Sequence, residues 1–132
     1  MLLVEDDALI RANTAEMLQE AGCVVVDAAS AEEAMAALHT APVDVLVTDL
    51  NLPGHSGAEL ARRAREMRGS IGIVFATGDG HRAAEAAASG DVVLTKPYAA
   101  ARLVEAVGTA LDAKGVQRSA PATMARADAV SG

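Results

Sequence analysis

The sequence predicts an α/β fold in which five parallel strands form one doubly wound sheet with helices on both faces. Five short apolar runs of strand length alternate with segments whose apolar residues recur at helical spacing. Elements that alternate in this way build a parallel sheet that is covered on both faces. Helices on both faces require the strand order to reverse at one point, and that point is where such sheets form binding sites.

The predicted strands share a short β-branched or leucine-rich run that is bounded by turn residues. They cover residues 2–4, 23–26, 43–48, 71–76 and 92–95. Gly22 ends the first predicted helix, and the third strand stops at Asp49, shortly before a Pro53-Gly54 turn.

Two of the other helices begin at recognisable start signals. Ser30 and Ser56 are each followed three residues later by a glutamate, which is the spacing of a capping box. The fourth helix is predicted over residues 81–88 and the fifth around Leu103 to Leu111. Periodicity disappears after that helix, so we predict one domain at 1–114 and a disordered tail or linker at 115–132.

Composition excludes several classes of function. The chain has 132 residues, 52% of them hydrophobic and 22% charged, which is typical of one globular domain. A net charge of −7 argues against a nucleic-acid surface, which needs clustered lysine and arginine. No apolar run approaches the ~20 residues of a membrane span, and no secretory signal is visible. The single Cys23 suits a reducing compartment, so we expect a cytoplasmic protein that binds neither nucleic acid nor membrane.

Polar side chains follow four of the five predicted strands. Glu5 and Asp6 follow the first strand, Asp49 the third, Thr77 the fourth and Lys96 the fifth. Because the carboxyl ends of parallel strands meet at one edge of a sheet, we expect these side chains to converge although they are distant in sequence.

The chemistry of this set points to phosphoryl transfer onto an aspartate. Clustered carboxylates repel one another unless a cation lies among them, and hard oxygen ligands suit Mg²⁺ rather than zinc. A carboxylate beside such a cation can attack phosphorus, while an ammonium group and a hydroxyl group hold other phosphoryl oxygens. The sequence therefore predicts a magnesium-dependent phosphoryl site.

Four motifs in this order resemble the receiver domains of two-component response regulators. They are Leu3-Val4-Glu5-Asp6, Val47-Thr48-Asp49-Leu50-Asn51-Leu52-Pro53-Gly54, Phe75-Ala76-Thr77-Gly78 and Leu94-Thr95-Lys96-Pro97-Tyr98. The resemblance covers about residues 2–111 and implies a flavodoxin-like (βα)5 fold with strand order 2-1-3-4-5.

The resemblance also implies a role for each site residue. Asp49 would be the phospho-acceptor, Thr77 and Lys96 would hold phosphoryl oxygens, and the Lys96-Pro97 peptide would be cis. The implied ligands of Mg²⁺ (or Mn²⁺) are Glu5, Asp6, Asp49 and the backbone carbonyl of Asn51. Asp7 lies one position beyond the acidic pair and is interpreted as a helix cap.

One position departs from the family pattern. Together with Thr77, receivers commonly switch through an aromatic residue three positions before the lysine, and here that position is Val93. Valine is stiff and too small to swing between two pockets. We do not expect Tyr98, at a different position, to replace it, so the usual signalling route is in question.

The function implied is that of a phosphorylatable signalling domain rather than an enzyme. It would take a phosphoryl group from a phosphohistidine of a histidine kinase or phosphotransfer protein, switch conformation and lose the group by slow hydrolysis. We expect a monomer or weak homodimer. The abrupt start at a core strand and the irregular tail favour a receiver excised from a hybrid histidine kinase over a stand-alone one.

Two alternatives stay open at the level of sequence. A haloacid-dehalogenase-like phosphatase also combines an aspartate nucleophile with Mg²⁺, threonine and lysine. Such enzymes place the nucleophile after the first strand with a second aspartate two residues on, whereas here Asp49 follows the third strand and residue 51 is asparagine. A non-phosphorylated pseudo-receiver that acts by protein binding is the other alternative.

Overall fold

The computed structural model describes residues 1–52, 54–88 and 92–115. Its strands are β1 Leu2–Val4, β2 Val26–Ala28, β3 Val45–Asp49, β4 Asn51–Leu52, β5 His55–Ser56, β6 Gly72–Thr77 and β7 Val92–Thr95. Its helices are α1 Ala8–Glu20, α2 Ala31–Thr40, α3 Gly57–Met67, α4 Gly80–Ala88 and α5 Ala100–Gly115.

Five strands form one parallel sheet in the order β2-β1-β3-β6-β7. The two-residue strands β4 and β5 pair antiparallel in a separate hairpin after β3. Counted along the chain, the five strands of the main sheet therefore run 2-1-3-4-5, and the predicted α/β fold and strand order are confirmed.

The sheet has a hydrophobic core on each face because successive side chains point to opposite sides. Leu2 and Val4 pack on the side of α2 and α3, whereas Leu3 packs on the side of α1 and α5. The central strands β3 and β6 are buried along their whole length. This burial on both faces explains why the central strands are continuous apolar runs in the sequence.

The predicted helix starts are confirmed by their caps. The Ser30 hydroxyl accepts a hydrogen bond from the Glu33 N–H at 3.2 Å, and the Ser56 hydroxyl accepts one from the Glu59 N–H at 3.0 Å. Each satisfies one of the amide groups that a helix leaves without an internal partner.

The second predicted strand was placed wrongly. It was expected at residues 23–26, but β2 covers Val26–Ala28. Gly22 has φ of 94°, and the Cys23 N–H returns to the Leu18 carbonyl at 3.0 Å, so the apolar run begins inside the cap of α1. The register sets Val26 opposite Leu2, and pairing starts there.

The predicted tail at 115–132 is largely beyond the described residues. Gly115 is the last residue of α5, and 116–132 lie outside the described part of the chain. Among the described helices, none combines the length and the apolar character that crossing a membrane requires.

Gly57 brings the start of α3 against the end of β3. Its N–H donates to the Leu50 carbonyl at 2.9 Å, and a Cβ at this position would lie 2.1 Å from the Asp49 carbonyl oxygen. Any side chain here must push the backbone that carries Asp49. A close approach of two backbones is a physical reason for glycine.

We expect Gly57→Ala to lower the free energy of unfolding by about 1 to 3 kcal/mol, because overpacked contacts force backbone shifts. The matched control is Gly108→Ala within α5, where the added Cβ would meet nothing within 4 Å beyond its chain neighbours and the backbone of its own helix. That change should raise stability by up to about 1 kcal/mol through helix propensity. Urea unfolding of both variants measures this, and a Gly57→Ala protein as stable as the parent would contradict the tight contact.

Candidate functional site

The candidate site lies at the carboxyl edge of the parallel sheet, where β1 and β3 are neighbours and the strand order reverses. Glu5 and Asp6 follow β1, Asp49 ends β3, Thr77 ends β6 and Lys96 follows β7. The fold thus places all five predicted side chains at one edge.

Three carboxylates at this edge form a compact cluster. One oxygen atom from each of Glu5, Asp6 and Asp49 lies within 4.8 Å of the others. Glu5 and Asp49 are buried, whereas Asp6 is exposed. Mg²⁺ prefers oxygen ligands and usually keeps several bound waters. The cluster offers carboxylate oxygens and is open to solvent at Asp6, so the residues present fit a divalent cation.

Backbone amides fix one oxygen of each buried carboxylate. The Asp7 N–H donates to Glu5 Oε2 at 3.1 Å, and the Asn51 N–H donates to Asp49 Oδ1 at 2.9 Å. These bonds orient both groups and leave their other oxygens, Glu5 Oε1 and Asp49 Oδ2, directed at a common partner.

That partner is Lys96. Its Nζ donates to Glu5 Oε1 at 2.8 Å and to Asp49 Oδ2 at 2.7 Å, and 20% of its side chain is exposed. Burial acts to lower the pKa of Lys96, but its hydrogen bonds to Asp49 and Glu5 and their negative charges outweigh burial and raise it. Lys96 is therefore an ammonium that compensates both acids.

Thr77 lies on the strand between Asp49 and Lys96. It is fully buried, its carbonyl accepts from the Lys96 N–H at 2.8 Å, and its hydroxyl oxygen accepts from the Asp79 N–H at 3.1 Å. A threonine hydroxyl that accepts one bond retains its own proton for donation. Thr77 can therefore donate to an anion at this edge.

The interpretation of Asp7 as a helix cap is confirmed. Asp7 is the N-cap of α1, and its Oδ1 accepts from the N–H groups of Leu9 and Ile10, each at 3.0 Å. Its carboxylate is therefore engaged with the helix.

Val93 and the nearby Tyr98 make different contacts. Val93 is half-buried on β7 opposite Phe75, whereas the Tyr98 hydroxyl lies 3.0 Å from Thr14 Oγ1 on α1. Tyr98 thus packs toward α1, and the position of Val93 has no aromatic ring.

The Lys96–Pro97 peptide is cis, as the resemblance implies.

Sequence analysis missed Asp79 and Arg82 at the start of α4. Asp79 Oδ1 accepts from the N–H groups of His81 at 2.9 Å and Arg82 at 3.2 Å, and Arg82 Nη1 donates to the Asn51 side-chain oxygen. An aspartate followed by a helix is a cap signal that could have predicted the first contact. No sequence pattern predicts the second, which joins exposed side chains 31 residues apart.

Lys96→Met should destabilise the cation-free protein by about 2 to 4 kcal/mol, because it leaves two buried carboxylates without their counter-charge. Millimolar Mg²⁺ should restore part of this loss by taking over the charge. Urea unfolding with and without Mg²⁺ measures both effects. The control is Arg62→Met, which breaks an exposed pair with Glu66 and should cost well under 1 kcal/mol. A loss independent of Mg²⁺ would contradict the cluster as a cation site.

Asp7→Ala should lower stability by about 1 kcal/mol through loss of the cap. Its affinity for Mg²⁺, measured by calorimetry, should equal that of the parent because Asp7 is not part of the cluster. A severalfold loss of affinity would make Asp7 a ligand instead.

Comparisons with known proteins agree with the geometry. The family model described as the response regulator receiver domain matches residues 1–108. The chain is 37% identical over 101 residues to the two-component response regulator PhoP of Pseudomonas aeruginosa, covering 74% of this chain and 45% of that protein. It is 33% identical over 109 residues to PhoB, the phosphate regulon transcriptional regulatory protein of the same organism, covering 79% and 48%. It thus spans a little under half the length of these curated bacterial relatives.

Solved structures show the same similarity. A response regulator receiver protein from Sinorhizobium medicae superposes with a TM-score of 0.77 at 32% identity, covering 86% of this chain and 94% of that one. The chemotaxis response regulator CheY4 of Vibrio cholerae gives 0.74 at 30% identity, covering 83% and 96%. These matches favour the receiver over the haloacid-dehalogenase alternative, and the chain belongs to the response regulator receiver domain family.

Proposed function

We propose that Asp49 accepts a phosphoryl group from a phosphohistidine of a histidine kinase or phosphotransfer protein, in a magnesium-dependent reaction. The observation that supports this most is the position of its carboxylate. Asp49 forms a cluster with an acidic pair that together fits a divalent cation, and its Oδ2 accepts from an ammonium that can hold a phosphoryl oxygen.

In the proposed reaction an oxygen of Asp49 attacks phosphorus. The P–N bond to the donor imidazole breaks, and its electron pair stays on the imidazole nitrogen, which takes a proton from solvent. The Asn51 N–H bond to Oδ1 holds the attacking carboxylate in one orientation. Orientation of this kind removes much of the entropic cost of a bimolecular step.

Glu5, Asp6, Asp49 and the Asn51 carbonyl would hold Mg²⁺ or Mn²⁺. When bound, the cation supplies charge that offsets the phosphoryl oxygens. The ammonium of Lys96 is a second positive charge that offsets the phosphoryl oxygens, and the chain itself supplies it. Its bonds to Glu5 and Asp49 can be exchanged for a phosphoryl oxygen, since an ammonium binds as a rotatable point charge.

Thr77 supplies the remaining proposed contact and the start of the switch. Its hydroxyl proton would donate to a phosphoryl oxygen, and the same oxygen atom accepts from Asp79 at the start of α4. Phosphorylation would shift a pre-existing equilibrium between two conformations, by as much as it stabilises one over the other. Because Val93 cannot swing as an aromatic residue does, we place the start of this change at Thr77.

The whole protein's role is part of the proposal. We propose a cytoplasmic signalling domain, monomeric or weakly dimeric, that loses its own aspartyl phosphate by slow hydrolysis and catalyses no other turnover. Its relatives are longer than the matched segment. That the chain is the receiver of a hybrid histidine kinase therefore stays a prediction, and so does the alternative that it belongs to a separate response regulator.

We expect the intact mass of the protein to rise by one phosphoryl group after incubation with acetyl phosphate and Mg²⁺. Asp49→Asn should abolish the gain because an amide is not a nucleophile for this reaction, and removal of Mg²⁺ by chelation should abolish it too. The control is Asp112→Asn at an exposed position on α5, which should be phosphorylated like the parent.

Uptake by Asp49→Asn at the parent's rate would show that the acceptor is wrong. No uptake by the parent from acetyl phosphate or from a phosphorylated histidine donor would favour the pseudo-receiver.

A further inference from the structure

A closed ring of hydrogen bonds joins Asp49 to the start of α4 and back. On one side, the Asn51 N–H donates to Asp49 Oδ1, and the side-chain oxygen of Asn51 accepts from Arg82 Nη1. The Arg82 N–H in turn donates to Asp79 Oδ1 at 3.2 Å. Arg82 is thus the link between helix α4 and the loop that follows the acceptor.

The other side of the ring passes through the sheet. The Asp79 N–H donates to Thr77 Oγ1, the Thr77 carbonyl accepts from the Lys96 N–H, and Lys96 Nζ donates to Asp49 Oδ2. Each member is therefore held by two neighbours. Two links join side chains alone, namely the part-buried link from Lys96 to Asp49 and the exposed link from Arg82 to Asn51.

The ring has both buried and exposed members. Asp49 and Thr77 are buried, whereas Asn51, Asp79 and Arg82 are exposed. Within the ring, the hydrogen bond from Arg82 is the one that restrains rotation of the Asn51 side chain. Removing the guanidinium frees a side chain two residues from the acceptor without disturbing the core.

We propose that Arg82 is a positioning residue that restrains the exposed Asn51 side chain, two residues from Asp49, and slows hydrolysis of the aspartyl phosphate. This inference rests on the proposed function of Asp49. In hydrolysis a water oxygen attacks phosphorus, and the P–O bond to Asp49 breaks with its electron pair returning to the carboxylate. The proton of the water leaves with the phosphate or to solvent, so an ordered Asn51–Arg82 pair acts by limiting the approach of that water.

The experiment compares the rate at which phosphorylated variants lose the phosphoryl group. Each protein is loaded with acetyl phosphate and Mg²⁺, the donor is removed by rapid desalting, and intact mass is followed over time. Arg82→Ala should lose the group about threefold to tenfold faster than the parent, the size of effect that coupled neighbouring residues usually show. Arg82→Lys, which keeps a shorter donor, should fall between the two.

The matched control is His81→Ala, an exposed neighbour on α4 that pairs with Glu85. It should hydrolyse at the parent's rate. The second readout is Arg82→Ala in an Asn51→Ala background, where it should have no further effect because the residue it holds is gone. A general weakening of α4 would speed hydrolysis in both backgrounds, and equal thermal unfolding midpoints exclude it independently.

Three results would overturn the inference. They are an Arg82→Ala rate equal to that of His81→Ala, a rate slower than the parent, and an effect that persists in full without the Asn51 side chain. Failure of the parent to gain a phosphoryl group on Asp49 is a different result, since it removes the proposed function and this inference with it.

Discussion

The structure of the site depends on one ammonium group that holds two buried carboxylates from different strands. Lys96 follows the edge strand β7, and its Nζ reaches past β6 to Asp49 on β3 and Glu5 after β1. Neighbouring strands lie about 4.8 Å apart, so only a long side chain on a fixed strand order can make both contacts. The order β2-β1-β3-β6-β7 is therefore as important to the chemistry as the residues themselves.

Buried ion pairs of this kind contribute little net stability, because desolvation of the charges offsets most of their attraction. Hydrophobic side chains in place of these charged ones would stabilise the fold equally well. The cluster is better explained by exchange, since a divalent cation can replace the ammonium beside the carboxylates, and a phosphoryl oxygen can replace a carboxylate oxygen at the ammonium. That exchangeability is what a reversible modification site requires, and it agrees with membership of the receiver family.

Much of the fold could be predicted because burial leaves periodic patterns. Central strands such as β3 begin as uninterrupted apolar runs, and their carboxyl ends are marked by polar residues such as Asp49 that form the site. The prediction failed at β2, where the apolar run from Cys23 begins within the cap of α1 and backbone bonding decides the boundary. The hairpin of β4 and β5 was also missed, because two-residue strands have no periodicity to detect.

The convergence of Glu5, Asp6, Asp49 and Lys96 followed from the rule that parallel strands end at one edge. The bridge from Arg82 to Asn51 did not, because contacts between exposed side chains depend on how α4 is placed rather than on any local pattern. With valine at position 93, the hydrogen bonds from Thr77 through Asp79 to α4 are a polar connection between the site and a helix that needs no aromatic residue.

The most direct test of the central interaction is the ammonium resonance of Lys96. The chain has lysines only at positions 96 and 114, so selective ¹⁵N labelling of lysine gives a spectrum that Lys96→Met assigns. Without divalent cations we expect one Lys96 ammonium signal protected from exchange, and Mg²⁺ should shift it as Glu5 and Asp49 gain a second positive partner. Two rapidly exchanging lysines, or a protected signal that does not respond to Mg²⁺, would contradict the account.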